Sequence, residues 1–172
     1  MRTVARWFLL IPLIPLAMPT MSFAGSGSTS LSVSASVANN CTISTGALAF
    51  GGYDPIVSNL SSPLDGTGTV TIACTKGAST TIGLDTGTHA GNASGTTRAM
   101  SDGAGTPSYL SYEIYQDSSR STVWSNSGGG LYTPAAAPSK AGRSYTVYGR
   151  VPAGQDPPAG SFTDTVTATV NF

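Results

Sequence analysis

Residues 30–37 read Ser-Leu-Ser-Val-Ser-Ala-Ser-Val, an almost unbroken alternation of polar and apolar side chains. Leu31, Val33, Ala35 and Val37 share one phase, and serines fill the other. A period of two places every apolar side chain on the same face of an extended strand. The stretch therefore predicts a β-strand that buries one face and leaves the other in water.

Residues 162–172, at the end of the sequence, show the same period. One phase is mainly apolar, and threonines and an asparagine fill the other. The apolar members are Phe162, Val166, Ala168, Val170 and Phe172. The two stretches together predict a spare strand at the front of the chain and a final strand with nothing after it to pair with. We expect a neighbouring molecule to complete the sheet.

Between these stretches, short alternating runs are separated by turn residues. The predicted strands cover residues 41–43, 48–50, 69–74, 80–84, 109–115, 144–151 and 162–172. Several short strands with glycine-rich turns predict an all-β fold, an antiparallel sandwich. No window combines helical periodicity with start and stop signals. The polar, small-residue-rich stretch 89–107 is predicted to be an exposed loop.

The interior phases of the predicted strands follow from the alternation. We expect Val70, Ile72, Cys74, Ile82, Leu84, Leu110, Tyr112, Ile114, Tyr145, Val147, Gly149 and Val151 to point inward. Two cysteines, Cys41 and Cys74, share phases with apolar neighbours. The sequence predicts that they form a disulfide, with two separate buried thiols as the alternative. No second cysteine or histidine sits at ligand spacing, so we expect no metal site.

The front of the chain has the features of an export signal. Arg2 and Arg6 precede a short apolar stretch at residues 7–17, and Ser22-Phe23-Ala24 fits a cleavage site. We predict a signal peptide at residues 1–24 and no membrane anchor. Its removal leaves six basic and eight acidic residues, a net charge of about −2. We see no basic patch of the kind that binds nucleic acid.

Catalytic signals are weak. His89 is the single histidine, and a Ser-His-Asp set with Asp85 has no nucleophile-elbow motif to support it. The carboxylates are scattered singly, as turn residues are. The sequence therefore predicts no enzyme and no cofactor. The tyrosines at positions 109, 112, 115, 145 and 148 fall at strand spacing, which favours cross-strand packing over a sugar-stacking surface.

The order of short motifs then resembles a known family. An alternating strand is followed by Cys-Thr-Ile at 41–43, Leu-Ala-Phe-Gly-Gly-Tyr-Asp-Pro at 48–55 and Val-Thr-Ile-Ala-Cys at 70–74. Tyr-Glu-Ile-Tyr-Gln-Asp at 112–117, Tyr-Gly-Arg-Val-Pro at 148–152 and Thr-Val-Asn-Phe at 169–172 follow. This order resembles the spore coat protein U domain family, which includes the Csu-type pilins of archaic chaperone–usher pili. The resemblance covers essentially the whole predicted mature chain.

The resemblance implies an incomplete immunoglobulin-like sandwich at residues 41–172, preceded by a donor-strand segment at residues 25–40. A periplasmic chaperone would fill its groove first, and an outer-membrane usher would then exchange that strand for the front segment of another pilin subunit. Leu31, Val33, Ala35 and Val37 would be the donor residues. The acceptor groove would be bordered by Ile43, Phe162, Val166, Ala168, Val170 and Phe172, and the carboxylate of Phe172 would contact the chaperone.

The resemblance therefore predicts a structural subunit of a bacterial surface pilus that supports adhesion and biofilm formation. It would pass through the periplasm to the cell surface. Two alternatives stay open from the sequence: a secreted coat or matrix protein that polymerises without a dedicated secretion machine, and a secreted carbohydrate-binding module.

Overall fold

The computed structural model describes Met21 and residues 23–172. The chain divides into two units, Met1–Ser36 and Val37–Phe172, and each is described by itself. In the first unit, Met21 and residues 23–36 form no helix or strand, and their side chains are exposed. Most of the predicted signal peptide lies outside the described residues.

The second unit is an antiparallel β-sandwich of short strands. They are β1 (Cys41–Ala49), β2 (Leu64–Cys74), β3 (Thr81–Leu84), β4 (Arg98–Ser101), β5 (Tyr109–Tyr115), β6 (Arg143–Val151) and β7 (Ala168–Asn171). A 3₁₀ turn at Gly128–Gly130 is the one helical element among residues 37–172. The predicted all-β class is confirmed.

Two sheets form the sandwich. The larger has five strands in the order β1-β2-β6-β5-β4, and the smaller pairs β3 with β7. Every ladder is antiparallel. The topology leaves β1 at one edge of the larger sheet, and β7 carries a single ladder, to β3.

The core lies where the alternation predicts it. Buried apolar side chains from β2, β3, β5 and β6 form one cluster, and Trp124 is fully buried among them. Its indole Nε1 donates a hydrogen bond to the carbonyl oxygen of Ile82 at 3.0 Å. Of the residues predicted to point inward, all are buried except Tyr145, which is half-buried against the cluster.

The predicted disulfide is confirmed. Cys41 lies directly opposite Cys74 in the antiparallel register of β1 and β2, and the two sulfurs are bonded. The bond ties the first residue of β1 to the last residue of β2. It therefore fixes the start of β1, which directly follows the predicted donor-strand segment at residues 25–40.

Two predicted strands are parts of one longer strand. Residues 41–43 and 48–49 both belong to β1, which continues through Gly46 with a register shift before Ala49. Glycine allows this close approach, because a Cβ at position 46 would overlap the side chain of Thr69 on β2.

The prediction of an exposed loop at residues 89–107 is wrong for its middle part. This part contains the strand β4, in which Arg98, Ala99 and Ser101 are buried. The Arg98 guanidinium forms an ion pair with Glu113. It also donates hydrogen bonds to the carbonyl oxygens of Leu84, Asp85 and Trp124. The strand escaped sequence analysis because a charged residue in a four-residue run is not read as core unless its partner is known.

The final strand is shorter than predicted. The ladder with β3 covers only Ala168–Asn171, and residues 162–167 are extended with one isolated bridge, from Thr163 to Ser101. The cause is that β3 ends at Leu84 and β4 begins at Arg98, so the strands beside this stretch are interrupted by a loop.

We predict that Arg98→Met destabilises the sandwich strongly. The change leaves the carboxylate of Glu113 buried without its ion-pair partner, which costs about 3–5 kcal/mol. The matched control is Arg150→Met, which removes the more exposed pair with Asp65 and should cost less than about 1 kcal/mol. Urea unfolding of both variants measures this, and equal losses would contradict the buried-pair assignment.

Candidate functional site

Residues 162–172 form an extended segment whose side chains alternate between half-buried and exposed. Phe162, Val166, Ala168 and Val170 are half-buried and pack against the core cluster. The intervening threonines are exposed. Phe172, at the end, is 56% exposed. We call residues 162–172 the edge segment.

The backbone of the edge segment is paired on one side. Thr163 and Ser101 exchange both backbone hydrogen bonds at 2.9 Å, and the N–H of Asp85 donates to the carbonyl oxygen of Thr167 at 3.0 Å. Because backbone groups of successive strand residues point in opposite directions, odd-numbered residues bond toward β3 and β4. The N–H and C=O groups of Asp164, Val166 and the later even-numbered residues therefore point the other way, toward an open edge.

A groove opens on that side. β1 comes within 8 Å of β7, but no ladder joins them within residues 37–172. The space of about 390 Å³ between residues 45–48 of β1 and residues 162–166 of the edge segment forms the groove. Five buried core residues, Val70, Leu84, Tyr112, Ile114 and Val147, contribute to its lining. The arrangement combines free backbone groups with an apolar floor, which is what an added β-strand requires.

A second groove of about 740 Å³ continues from the first. Leu48, Phe50, Met100 and Phe162 line both. The apolar surface of the two grooves therefore extends past Phe162 toward residues 157–161.

One polar side chain interrupts the inward-facing phase of the edge segment. The carboxylate of Asp164 is only 2% exposed. It accepts hydrogen bonds from Thr88 N at 3.0 Å, Thr88 Oγ1 at 2.7 Å and Tyr112 OH at 2.7 Å. His89 Nδ1 lies 3.1 Å from it. A Cβ at Gly87 would overlap the carboxylate, so glycine makes room for this arrangement. Asp164 thus fastens the middle of the edge segment between the backbone bonds at Thr163 and Thr167.

Hydrogen bonding sets the ionisation of this cluster. Burial alone would raise the pKa of Asp164, but the hydrogen bonds from Thr88, Tyr112 and His89 outweigh it and hold that pKa below its ordinary value. Burial, with the adjacent Asp164, raises the pKa of Tyr112 above its ordinary value. Asp164 is therefore a carboxylate and Tyr112 a neutral donor at neutral pH.

Comparison with known proteins gives this fold a family. Residues 28–169 match the Spore Coat Protein U domain. Protein U of Myxococcus xanthus is 35% identical over 163 residues, which cover 87% of each chain. This chain belongs to the Spore Coat Protein U domain family.

One solved structure shares the fold. It is the CsuC–CsuE chaperone–tip adhesion subunit pre-assembly complex from archaic chaperone–usher Csu pili of Acinetobacter baumannii, with a TM-score of 0.57 and 24% identity. The match covers 79% of this chain and spans 40% of the chain in that structure. A weaker match is the E. coli Hda pilus minor tip subunit HdaB, with a TM-score of 0.41, 15% identity and coverage of 75% of this chain and 79% of the other. The Spore Coat Protein U domain has an immunoglobulin-like fold and is not an enzyme.

The structure places the predicted acceptor residues unevenly. Phe162, Val166 and Ala168 line the groove. Ile43, Val170 and Phe172 line neither groove, although Ile43 and Val170 pack against the core cluster. The predicted donor residues Leu31, Val33, Ala35 and Val37 are all exposed. Whether donor and acceptor meet in another copy stays a prediction.

Several groove residues escaped sequence analysis. Leu48, Phe50 and Met100 line both grooves. The sequence alone could have indicated Asp164, because it is the one charged residue in the otherwise apolar phase of residues 162–172. His89 was expected in an exposed loop and is instead one-third exposed and paired with Asp164, not with Asp85. A histidine in a glycine-rich loop gave no indication of a partner 75 residues away.

The described residues contain no group of three or more histidine, cysteine, aspartate or glutamate side chains that could hold a metal ion. Within the same part of the chain, no helix has the length and apolar character needed to cross a membrane.

We predict that the stability of the Asp164→Asn variant depends less on pH in the acid range than the stability of the wild type does. The folded-state pKa of Asp164 is depressed, so its carboxylate contributes stability above the unfolded pKa of about 3.8, and this is lost as pH falls through the folded pKa. The wild type should therefore lose stability below about pH 4, and the variant, already weaker at pH 7, should lose less. Thermal unfolding from pH 7 to pH 2 measures this.

The control is Asp156→Asn, which changes an exposed carboxylate. It should follow the wild-type curve. An Asp164→Asn curve that runs parallel to the wild type would contradict the assigned role.

Proposed function

We propose that this chain is a structural subunit of a bacterial surface pilus, assembled by a chaperone–usher pathway through donor-strand exchange, and that the pilus supports adhesion and biofilm formation. The proposal rests on the edge segment, whose backbone groups are hydrogen-bonded on one side and open on the other, beside an apolar groove. An open strand edge over apolar surface is an aggregation hazard that proteins cover. A strand from another molecule is the occupant that this edge fits best.

The donor in this proposal is the front segment of another copy. Its apolar side chains stand exposed, with Leu31 at 86%, Val33 at 84% and Val37 at 84%. Burial of each would contribute about 1.5–3 kcal/mol, and each backbone hydrogen bond about 1 kcal/mol. The loss of translational freedom on association opposes these gains. The segment contains no proline, so every residue can donate to a ladder.

A short tether supports exchange between molecules. Residues 38–40 join the donor to β1 and reach about 10 Å at most. Thr75 anchors them: its N–H donates to Asn40 O at 2.9 Å, and its Oγ1 lies 3.3 Å from Ala38 O. In the proposal, this anchored tether cannot reverse the chain into its own groove. The donor then enters a neighbour, and such a head-to-tail contact does not close on itself but grows a fibre.

The remaining partners follow from the pathway. A groove that is open before assembly needs a temporary occupant, which a periplasmic chaperone would supply, and an outer-membrane usher would exchange it. The similarity to a structure described as a chaperone–tip adhesion subunit pre-assembly complex supports this part. The chain would be exported through the periplasm and end at the cell surface.

The family description favours one second candidate, a protein of a spore coat or extracellular matrix. The same strand exchange would build it, without a chaperone and usher. Fibre assembly that continues in cells lacking a chaperone–usher pair would select this candidate.

We predict that Val33→Asp abolishes polymer formation. The change places a carboxylate on the apolar donor face, where burial in the groove would be costly. Ser34→Asp is the matched control, because it adds the same charge one residue along, on the opposite face. Size-exclusion chromatography and electron microscopy of the exported proteins should show polymers for the wild type and Ser34→Asp only.

Polymers of Val33→Asp at the control level would show that residues 30–37 are not the donor. Removal of residues 25–38 provides the second check, since that variant should stay monomeric.

A further inference from the structure

Asp164 has a consequence for how a donor lies in the groove. The inward-facing phase of the edge segment is apolar except at this position, where a buried carboxylate lines the groove. Its hydrogen bonds to Thr88 and Tyr112 and its contact with His89 already use its acceptor capacity. A donor side chain opposite Asp164 therefore needs neither charge nor hydrogen-bonding groups, and a small side chain disturbs the cluster least.

The donor offers one small apolar residue in its inward phase. That phase reads Thr29, Leu31, Val33, Ala35 and Val37. Ala35 is the smallest of these, and it stands between two valines. The inward phase of the donor therefore has one small side chain, Ala35, just as the inward phase of the edge segment has one polar side chain, Asp164.

We infer that Asp164 fixes the register of the donor strand, with Ala35 of another copy directly opposite it. The inference rests on the proposed strand exchange and takes the pairing as antiparallel, like every ladder of the sandwich. Val33 then lies opposite Val166, and Leu31 lies opposite the small Ala168.

The register also sets the other pairs along the two segments. With Ala35 opposite Asp164, residues 27–37 lie opposite residues 162–172. Gly27, which has no side chain, falls opposite Phe172, and Val37 falls opposite Phe162. A shift of two residues in either direction keeps the apolar face inward but places a valine over the carboxylate. Backbone alternation alone does not distinguish these registers, so the side chains decide.

Asp164 is suited to this task because it is held rigidly. Thr88 and His89 belong to the loop after β3, and Tyr112 belongs to β5, so two separate parts of the fold grip one carboxylate. Asp164 therefore combines a fixed side chain with open backbone N–H and C=O groups that a donor strand can pair with. Asp164 acts as a positioning residue for the incoming strand.

Cysteine pairs in the full mature chain test the register. Val33→Cys with Val166→Cys places the two cysteines opposite each other in neighbouring copies, about 5.5 Å apart at Cα, which suits a disulfide. Two shifted pairs serve as matched controls: Val33→Cys with Ala168→Cys, and Leu31→Cys with Val166→Cys. Polymers are oxidised, separated on non-reducing gels and mapped by mass spectrometry, which also checks that Cys41 and Cys74 remain paired.

The first pair should give about tenfold more intermolecular disulfide than either shifted pair. Equal or greater linking of a shifted pair overturns the register, as does the absence of links from all three pairs in polymers that depend on residues 25–38. Polymers that form without residues 25–38 would instead overturn the proposed strand exchange, so the two failures are distinct.

The role of Asp164 is tested in the same polymers with Asp164→Asn. The exchange of an acceptor for a donor breaks the cluster, so the preference for the first pair over the shifted pairs should fall from about tenfold toward equality. A purely structural role would lower all three yields together and leave their ratio unchanged, and that result would overturn the assignment.

Discussion

The structure depends on the one-sided backbone pairing of residues 162–172. Odd-numbered residues bond toward β3 and β4, as the exchange between Thr163 and Ser101 and the bond from Asp85 to Thr167 show. Even-numbered residues turn their backbone groups toward a groove with an apolar floor. Peptide groups of this kind are satisfied by water or by another strand, and an apolar floor favours the strand.

The two ends of the chain have complementary chemistry. Residues 31–37 have exposed apolar side chains at every second position, and Met21 and residues 23–36 form no helix or strand. The edge segment has the matching period and lacks a strand on one side. The disulfide between Cys41 and Cys74 and the bonds of Thr75 fix where the front segment leaves the sandwich. Asp164 adds a fixed polar point to a surface that would otherwise accept several registers.

The sequence predicts the sheet faces well, because a period of two is a local property that each strand shows by itself. The buried phases of β2, β3, β5 and β6 were predictable on this ground. The disulfide was predictable because two cysteines in an exported chain usually pair. Contacts between distant residues were not. Arg98 reads as a loop residue until Glu113 and three carbonyl groups surround it, and β4 was missed with it. In the groove, only the wall formed by the edge segment was predictable. Leu48, Phe50 and Met100 become lining residues through the packing of separate elements, which the sequence does not show.

Amide hydrogen exchange, resolved by residue in the isolated chain and in the assembled polymer, tests the central claim most directly. The account predicts that the N–H groups of Thr163 and Thr169 are protected in both states, because β4 and β3 hold them. Those of Val166, Ala168 and Val170 should exchange rapidly in the isolated chain and become protected on assembly. Strong protection of these even-numbered amides in the isolated chain, or rapid exchange of them in the polymer, would contradict the claim that a second molecule completes this edge.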